Sequence, residues 1–383
     1  MGPILVLNAG SSSLKFALFA LDSGAPVPQV RGRVEVTGGD LETALADSFD
    51  RMVGAQATAF TAPIAIGHRI VMGGVKFVAP VLIDAAVLAD IEALAPLAPL
   101  HQPAGLTGIR EAARRFPGTP QVACFDTALH RNHPFVSDAY ALPRRFYDEG
   151  IRRFGFHGLS YEYIALQLRA RAPQLAAGRV IVAHLGNGAS LCAMRDGQSI
   201  ESTMGFSTLD GLPMGSRSGQ IDPGVLLWLM QAKGMSANEV SDLLYKESGL
   251  KALSGLSGDL RDLQASDSPQ ARQAIDYLVY RIQHEIGALA AGLGGLDALV
   301  FTGGIGEHSA LVRDRVMKGL GWLGLQAGES ATGGPGGSAS PSGPISAPRS
   351  RVAAWVIETD EEAMIARHTA RLLGPDAAVA PVE

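Results

Sequence analysis

The stretch Leu5-Val-Leu-Asn8-Ala-Gly10-Ser-Ser-Ser13 has a counterpart at Ile181-Val-Ala-His184-Leu-Gly186-Asn-Gly-Ala189. Each opens with an apolar run of buried-strand type, breaks at a polar residue, turns through glycine and resumes as a second strand. A strand–turn–strand unit repeated so far apart is what a duplicated domain leaves behind. At about 150 residues per domain, a chain of 383 residues is expected to hold two or three domains. Outward from the repeat, strand and helix signals alternate, which predicts an α/β fold. Strands are expected over residues 4–7, 14–21, 30–36, 121–125, 180–183, 190–195, 199–203, 297–302 and 352–357, with Asp196-Gly197 as a hairpin turn. Helices are expected over 41–53, 85–94, 104–116, 271–293 and 360–373. The span 271–293 puts Ile275, Leu278, Val279, Ile282, Ile286 and Leu289 on one stripe, suited to the core or to a dimer contact. Thr359 with Glu362 reads as a capping box for the last helix. The domain boundary is expected between residues 147 and 148, giving domains 1–147 and 148–364, with a terminal helix from about 365 to 383 returning to the first. Residues 328–349, rich in Gly, Ser and Pro, read as a surface loop.

Composition narrows the function. Lys and Arg number 32 against 37 Asp and Glu, for a net charge of −5, and 47% of residues are hydrophobic. That excludes a disordered chain and a nucleic-acid binder working by bulk positive charge. The N-terminal apolar run is too short for a signal-peptide core, and the longest apolar stretch falls short of a membrane span, so no membrane association is expected. Two cysteines, Cys124 and Cys192, form no disulfide scaffold and point to a reducing, cytoplasmic setting. Glycine, with 46 residues, is far above the usual ~7% and implies many close backbone–ligand approaches.

Three glycine-bearing turns follow predicted strands: Asn8-Ala-Gly-Ser-Ser-Ser-Leu-Lys15, His184-Leu-Gly-Asn-Gly188 and Thr302-Gly-Gly-Ile-Gly-Glu307. One such turn is ordinary, whereas three at strand carboxyl ends favour a nucleotide cleft. None has the Gly-x-Gly-x-x-Gly spacing of a dinucleotide site or the Gly-Lys-Ser/Thr ending of a P-loop. Arg69 and Arg217 lie among glycines, and guanidinium forks suit carboxylates or phosphates. Asp126 ends an apolar strand, where a carboxylate is costly unless paired or used. His101 and His157, between apolar and turn residues, read more readily as structural donors than as catalysts. His130 and His133 lack further ligands for zinc.

Taken together, these residues resemble the acetokinase family. The resemblance runs in order through residues 8–16, 67–77, 97–103, 125–130, 152–158, 184–190, 204–223, 248–263, 301–307 and 359–366. It implies a duplicated actin-like fold of two ribonuclease-H-like domains with a cleft between them. It also implies Mg²⁺-dependent, in-line transfer of the ATP γ-phosphoryl group to acetate or another short-chain carboxylate, in a cytoplasmic homodimer, with Mn²⁺ as an alternative metal. Carried over by position, Asn8 and Glu361 hold the metal and Lys15 serves the nucleotide phosphates. His184, Leu185, Gly186, Asn187 and Gly188, then Asp259, Leu260 and Arg261, then Gly303, Gly304, Ile305, Gly306 and Glu307 line the ATP/ADP site. Arg69 binds the acceptor carboxylate, with His101 counted among the substrate-binding residues, and Val71, Leu100 and Phe156 surround the methyl group. His157 and Arg217 stabilise the phosphoryl group in flight. Asp126 is the acid/base or orienting carboxylate; acetate is already ionised at neutral pH, which favours orientation.

The chain departs from the family pattern at Met72, Leu159, Tyr161, Thr208 and Gln220, where the family usually places His, Thr, His, Pro and an acid respectively. None of these is assigned to phosphoryl transfer. Met72 and Thr208 bear instead on which short acid fits.

Overall fold

The computed structural model describes residues 2–9, 13–22, 25–35, 43, 62–328 and 342–374. Its contacts divide the chain into two compact units, one of residues 1–131, 158–163 and 360–383, the other of 132–157 and 164–359. The sequence reading put a single boundary at 147/148 and began the returning segment at 365. The contacts instead cut at 131/132 and return residues 158–163 as well, and the whole last helix joins the first unit from Asp360 onward.

The first unit is built on a six-stranded sheet of β1 (Ile4–Ala9), β2 (Ser13–Asp22), β3 (Ala25–Glu35), β4 (Ala65–Ile70), β5 (Val81–Leu82) and β6 (Gln121–Phe125). Its spatial order is β3-β2-β1-β4-β6-β5. β1 runs antiparallel to β2 and parallel to β4, β4 is parallel to β6, and β5 closes the edge antiparallel to β6. β1 is buried along its whole length, as a strand covered on both faces must be, and this explains its unbroken apolar run. β3 is mostly exposed and bears Pro26 and Pro28, residues a sheet tolerates at an edge. Leu7, Leu14, Phe16 and Ile66 pack with Ala112 of the Gln102–Arg115 helix beneath the sheet.

The second unit repeats the plan. Its strands are β7 (Arg179–Leu185), β8 (Ala189–Arg195), β9 (Gln198–Ser202), β10 (Ala298–Thr302), β11 (Gly343–Pro344) and β12 (Ala353–Val356), in the order β9-β8-β7-β10-β12-β11. The directions also repeat: β7 is antiparallel to β8 and parallel to β10, β10 is parallel to β12, and β11 is antiparallel to β12. β1 therefore corresponds to β7, as the repeated stretch predicts. The fold is the expected duplicated α/β architecture.

Most expected elements lie within two residues of their observed bounds. The Pro269–Leu293 helix starts at Pro269 under a Ser268 cap and ends at Gly294, whose φ of 72° is the left-handed stop glycine supplies. Its whole predicted stripe is buried within the chain, so that face is core. Two expectations are corrected. Asp360, not Thr359, caps the Glu361–Leu373 helix, its carboxylate accepting from Ala363 N, and so no Thr359–Glu362 capping box forms. Within 328–349, residues 343–346 are not a loop: Gly343 and Pro344 pair with β12, Ala327 bridges Ser346, and Ile345 is fully buried. The helix expected over 41–53 lies, apart from Thr43, outside the described residues, as do 329–341.

His68 is buried in β4, its Nε2 2.6 Å from Gln121 Oε1. Burial pushes its pKa down to about 4, against a smaller upward pull from Gln121. A depressed histidine contributes stability that is complete above the unfolded value of 6.5 and is lost as pH falls toward 4. Over that window the His68→Gln variant is expected to lose about 3 kcal/mol less than the wild type. Denaturant midpoints measured at neutral pH and near pH 4 check this, and parallel slopes for the two proteins refute it.

Candidate active site

In the first unit the chemistry gathers at the carboxyl ends of the parallel strands, where open α/β sheets bind ligands. β1 delivers Asn8, β4 delivers Arg69, and Asp126 follows β6. Arg69 donates from Nε to Asp126 Oδ1 and Oδ2 at 3.0 and 3.1 Å and from Nη2 to Oδ2 at 2.6 Å. Its Nη1 donates to Asn8 Oδ1 at 3.2 Å and lies 3.9 Å from Glu361 Oε2. Asn8 Nδ2 in turn donates to Glu361 Oε2 at 3.2 Å and Glu362 Oε1 at 2.6 Å. Lys15, half exposed, stands 4.0 Å from Glu362.

Burial works against the charge on Arg69, but Asp126 and Glu361 more than offset it and hold the guanidinium above its ordinary pKa. For Asp126, burial and Glu361 push the carboxyl up while Arg69 pulls it down, and the net direction is upward. Three carboxylates surround one buried guanidinium and one half-exposed lysine, so the cluster carries a surplus of negative charge. Its donors toward the surplus, Asn8 and Glu361, are hard oxygens. An amide and a carboxylate oxygen are the donor chemistry Mg²⁺ takes, since it binds through one or two protein oxygens and keeps water and substrate phosphate for the rest.

Val71, Met72 and Phe156 are buried and Leu100 is partly exposed. Gln102, which sequence reasoning passed over, holds the Met72 backbone from both sides, its Oε1 accepting from Met72 N and its Nε2 donating to Met72 O. Thr127 Oγ1 accepts from Gly73 N. These two residues fix the segment after Arg69. His101 precedes the Gln102–Arg115 helix and makes no side-chain cap there.

The second unit brings together the histidines, Arg217 and the glycine turns. His157 has a left-handed backbone, φ 60°, a conformation that costs a non-glycine residue about 1 kcal/mol. Its ring stacks on His184 at 4.3 Å and its Nδ1 lies 2.8 Å from Ser190 Oγ, a partner the sequence did not suggest. Arg217 donates from Nη1 to the Thr208 carbonyl at 3.2 Å. A methyl group on Gly188 would sit 3.2 Å from His157 Nε2 and 3.9 Å from Arg217 Nη1, so the missing side chain leaves these groups room. Gly186 approaches Gly304 N, and Gly215 approaches Asn187 Oδ1 and the Gly258 carbonyl. The segments 184–188, 215–217, 258–261 and 303–307 are thus neighbours, as one ligand site requires.

Details differ from expectation. Gly303–His308 is a short helix rather than a loop. Asp259 caps the Leu260–Ala265 helix and pairs with the exposed Arg261, whose hydrogen bonds hold the Asp259 pKa down. Leu260 is buried. The Gly10–Ser12 turn lies outside the described residues, so Lys15, across from Asn8 in the β1–β2 pair, is the described part of that motif. Cys124 and Cys192 are buried core thiols.

A sequence profile described as the acetokinase family matches residues 28–367. The acetate kinase of Methylocella silvestris is 51% identical over 405 residues, covering 98% of this chain and 99% of that protein, and the acetate kinase of Rhizobium meliloti is 50% identical over 395. Among solved structures, Porphyromonas gingivalis acetate kinase is 34% identical with a TM-score of 0.85, and a propionate kinase from Francisella tularensis is 36% identical with a TM-score of 0.86. Each covers 97% of this chain, which in turn spans all of each of those chains.

The Arg69–Asp126 pair yields a stability test that needs no ligand. Arg69→Ala leaves Asp126 buried and unpaired and is expected to cost about 3 kcal/mol at neutral pH. Without its partner the Asp126 pKa rises further. A carboxyl raised in the folded state lowers stability as pH climbs through the carboxylate range, so the deficit should shrink on acidification. Equal deficits at neutral and acid pH, by denaturant titration, would count against this reading of the pair.

Proposed function

This chain belongs to the acetokinase family, and we propose that it catalyses reversible, Mg²⁺-dependent transfer of the ATP γ-phosphoryl group to acetate, giving acetyl phosphate and ADP. The observation that carries the reading is the Arg69 guanidinium, held two-point by Asp126 and shared with Asn8 and Glu361 at the ends of β1, β4 and β6.

Phosphoryl transfer to a carboxylate brings two anions together, and its transition state spreads charge over the equatorial oxygens. The protein's task is therefore electrostatic and positional rather than covalent. Arg69 takes the acceptor carboxylate. Asp126 keeps that guanidinium in one orientation, and because the acceptor carries no proton to remove, orientation is its whole role. The family resemblance assigns Val71, Leu100, Phe156 and His101 to the acceptor. His157, oriented by Ser190 and stacked on His184, and Arg217, anchored on the Thr208 carbonyl, meet the charge that develops on the phosphoryl oxygens. Lys15 serves the nucleotide phosphates. His184, Leu185, Gly186, Asn187 and Gly188, with Asp259, Leu260 and Arg261 and with Gly303, Gly304, Ile305 and Gly306, offer backbone surface to the nucleotide. Asn8 and Glu361 would hold Mg²⁺, which when bound neutralises phosphate charge.

A reducing, cytoplasmic setting belongs to the same reading, supported by two buried free thiols. Among the described residues no helix is long and apolar enough to cross a membrane. We also propose a homodimer. Its support is the Pro223–Ala232 helix, which buries none of its residues although Val225, Leu227, Trp228 and Met230 are all more than 40% exposed.

Purified protein with Mg·ATP and acetate is expected to form acetyl phosphate, trapped as the hydroxamate. Binding of ATP without phosphorylation of any short acid would end the proposal. Comparing kcat/KM for acetate, propionate and butyrate settles the acyl preference, on which Met72 and Thr208 bear. Arg217→Ala should lose about 3 kcal/mol of transition-state stabilisation, roughly a hundredfold in kcat/KM, with the melting temperature little changed. Light scattering should give twice the chain mass, and Trp228→Glu the single mass; a monomeric wild type rejects the dimer.

A further inference from the structure

The two copies of the sheet can be superposed residue by residue through their registers, and Glu307 is where they part. The opening repeat equates Leu7 with Ala183. Leu7 pairs with His68 and Ala183 with Phe301, so Arg69 corresponds to Thr302 and Ile70 to Gly303. His68 pairs with Ala123 and Phe301 with Val356, so Asp126 corresponds to Thr359. In the first unit the ladder continues one rung past the strands, Asp126 N donating to the Ile70 carbonyl at 3.0 Å. In the second the corresponding rung would join Thr359 N to Gly303. Gly303 instead turns left-handed, φ 75°, with its would-be side chain against the Leu185 carbonyl. Thr359 N donates to Glu307 Oε1 at 3.1 Å, and the same oxygen accepts from Gly303 N at 2.8 Å and Thr302 Oγ1 at 3.2 Å.

The helix so held cannot stand alone. Gly303–His308 is six residues long and contains three glycines, each costing about 1 kcal/mol relative to alanine in a helix, and a single turn does not repay its own nucleation. Its other end is gripped by Arg313, buried at 2% exposure, which donates to the Gly306 and Glu307 carbonyls. Both ends are therefore fixed by side chains rather than by helical propensity.

We propose that Glu307 is a positioning residue and not a nucleotide contact: its carboxylate replaces the missing ladder rung and so holds the Gly303–His308 helix at the end of β10. The inference rests on the nucleotide site proposed above. A hydrogen-bond acceptor is what the role demands, not a negative charge, so Glu307→Gln preserves it and Glu307→Ala abolishes it.

Direct ADP binding by calorimetry, in the absence of acetate, reads the effect without turnover. Glu307→Ala is expected to weaken ADP about tenfold and raise the KM for ATP to match, the KM for acetate moving less than about twofold, as befits loss of a buried acceptor. Glu307→Gln should stay within about threefold of wild type in both readouts. A Gln variant that loses ADP binding as badly as Ala, or shifts the two KM values together, overturns the proposal. If the Ala variant does not fold, the Gln variant alone decides: near-wild-type ADP binding supports the brace, and a loss beyond tenfold points to a charged contact instead. Wild-type protein that binds ADP yet forms no acetyl phosphate would fail the functional reading while leaving this test intact.

Discussion

A guanidinium enclosed by carboxylates is the constraint from which the first unit's architecture follows. Arg69 sits with its side chain only 16% exposed beside Asp126 at 1%, and such a pair tolerates little displacement, because each ion would otherwise face the interior without its counter-charge. Holding it requires β1, β4 and β6 to end in register, so that Asn8, Arg69 and Asp126 emerge side by side. It also requires the last helix to return more than two hundred residues later with Glu361 and Glu362 in its first turn, where the helix N-terminus favours negative charge. The fully buried β1 and the packing of Gln102 and Thr127 against the segment after Arg69 serve the same rigidity.

The duplication sets one scaffold to two kinds of chemistry. At the ends of the first sheet the chain places charge: one arginine, three carboxylates and a lysine. At the corresponding ends of the second it places backbone, two stacked histidines and glycines whose missing side chains make room. Asn8 and His184 occupy equivalent positions, as do Arg69 and Thr302. On the proposed function, an acceptor carboxylate and a metal call for fixed charges of known sign. A polyphosphate approached along its length calls instead for exposed N–H groups, which side chains would obstruct.

Much of this was legible in the sequence because strand ends betray themselves by composition. An unbroken apolar run followed by Asn, Asp or His marks both a buried strand and the place where its polar successor must be used. Asp126 was visible in this way and Arg69 by the glycines around it; their two-point bond was not, since it depends on the β4–β6 register. Glu362 was missed because it stood three residues after Thr359 and was read as half of a capping box. The structure gives the cap to Asp360, leaving Glu362 free to take the Asn8 amide. Ser190 and Gln102 drew no role of their own, being ordinary polar residues whose partners are set by tertiary packing, His157 for Ser190 and the Met72 and Ile91 backbone for Gln102.

Glu307 illustrates the harder case. In sequence it closes a glycine-rich turn, and a carboxylate there reads as a ligand contact. Only the sheet comparison reveals that the turn costs the second unit a rung of its ladder and that the part-buried Thr359 N–H donates to the Glu307 carboxylate in its place. A backbone that must open to admit a ligand sheds hydrogen bonds that a closed strand end would keep, and some side chain nearby has to supply the acceptor. Residues of that kind sit within binding motifs, are polar like true contacts, and differ from them in one respect that geometry alone exposes: they hold the protein's own backbone, as Glu307 Oε1 does in accepting from Gly303 N and Thr359 N.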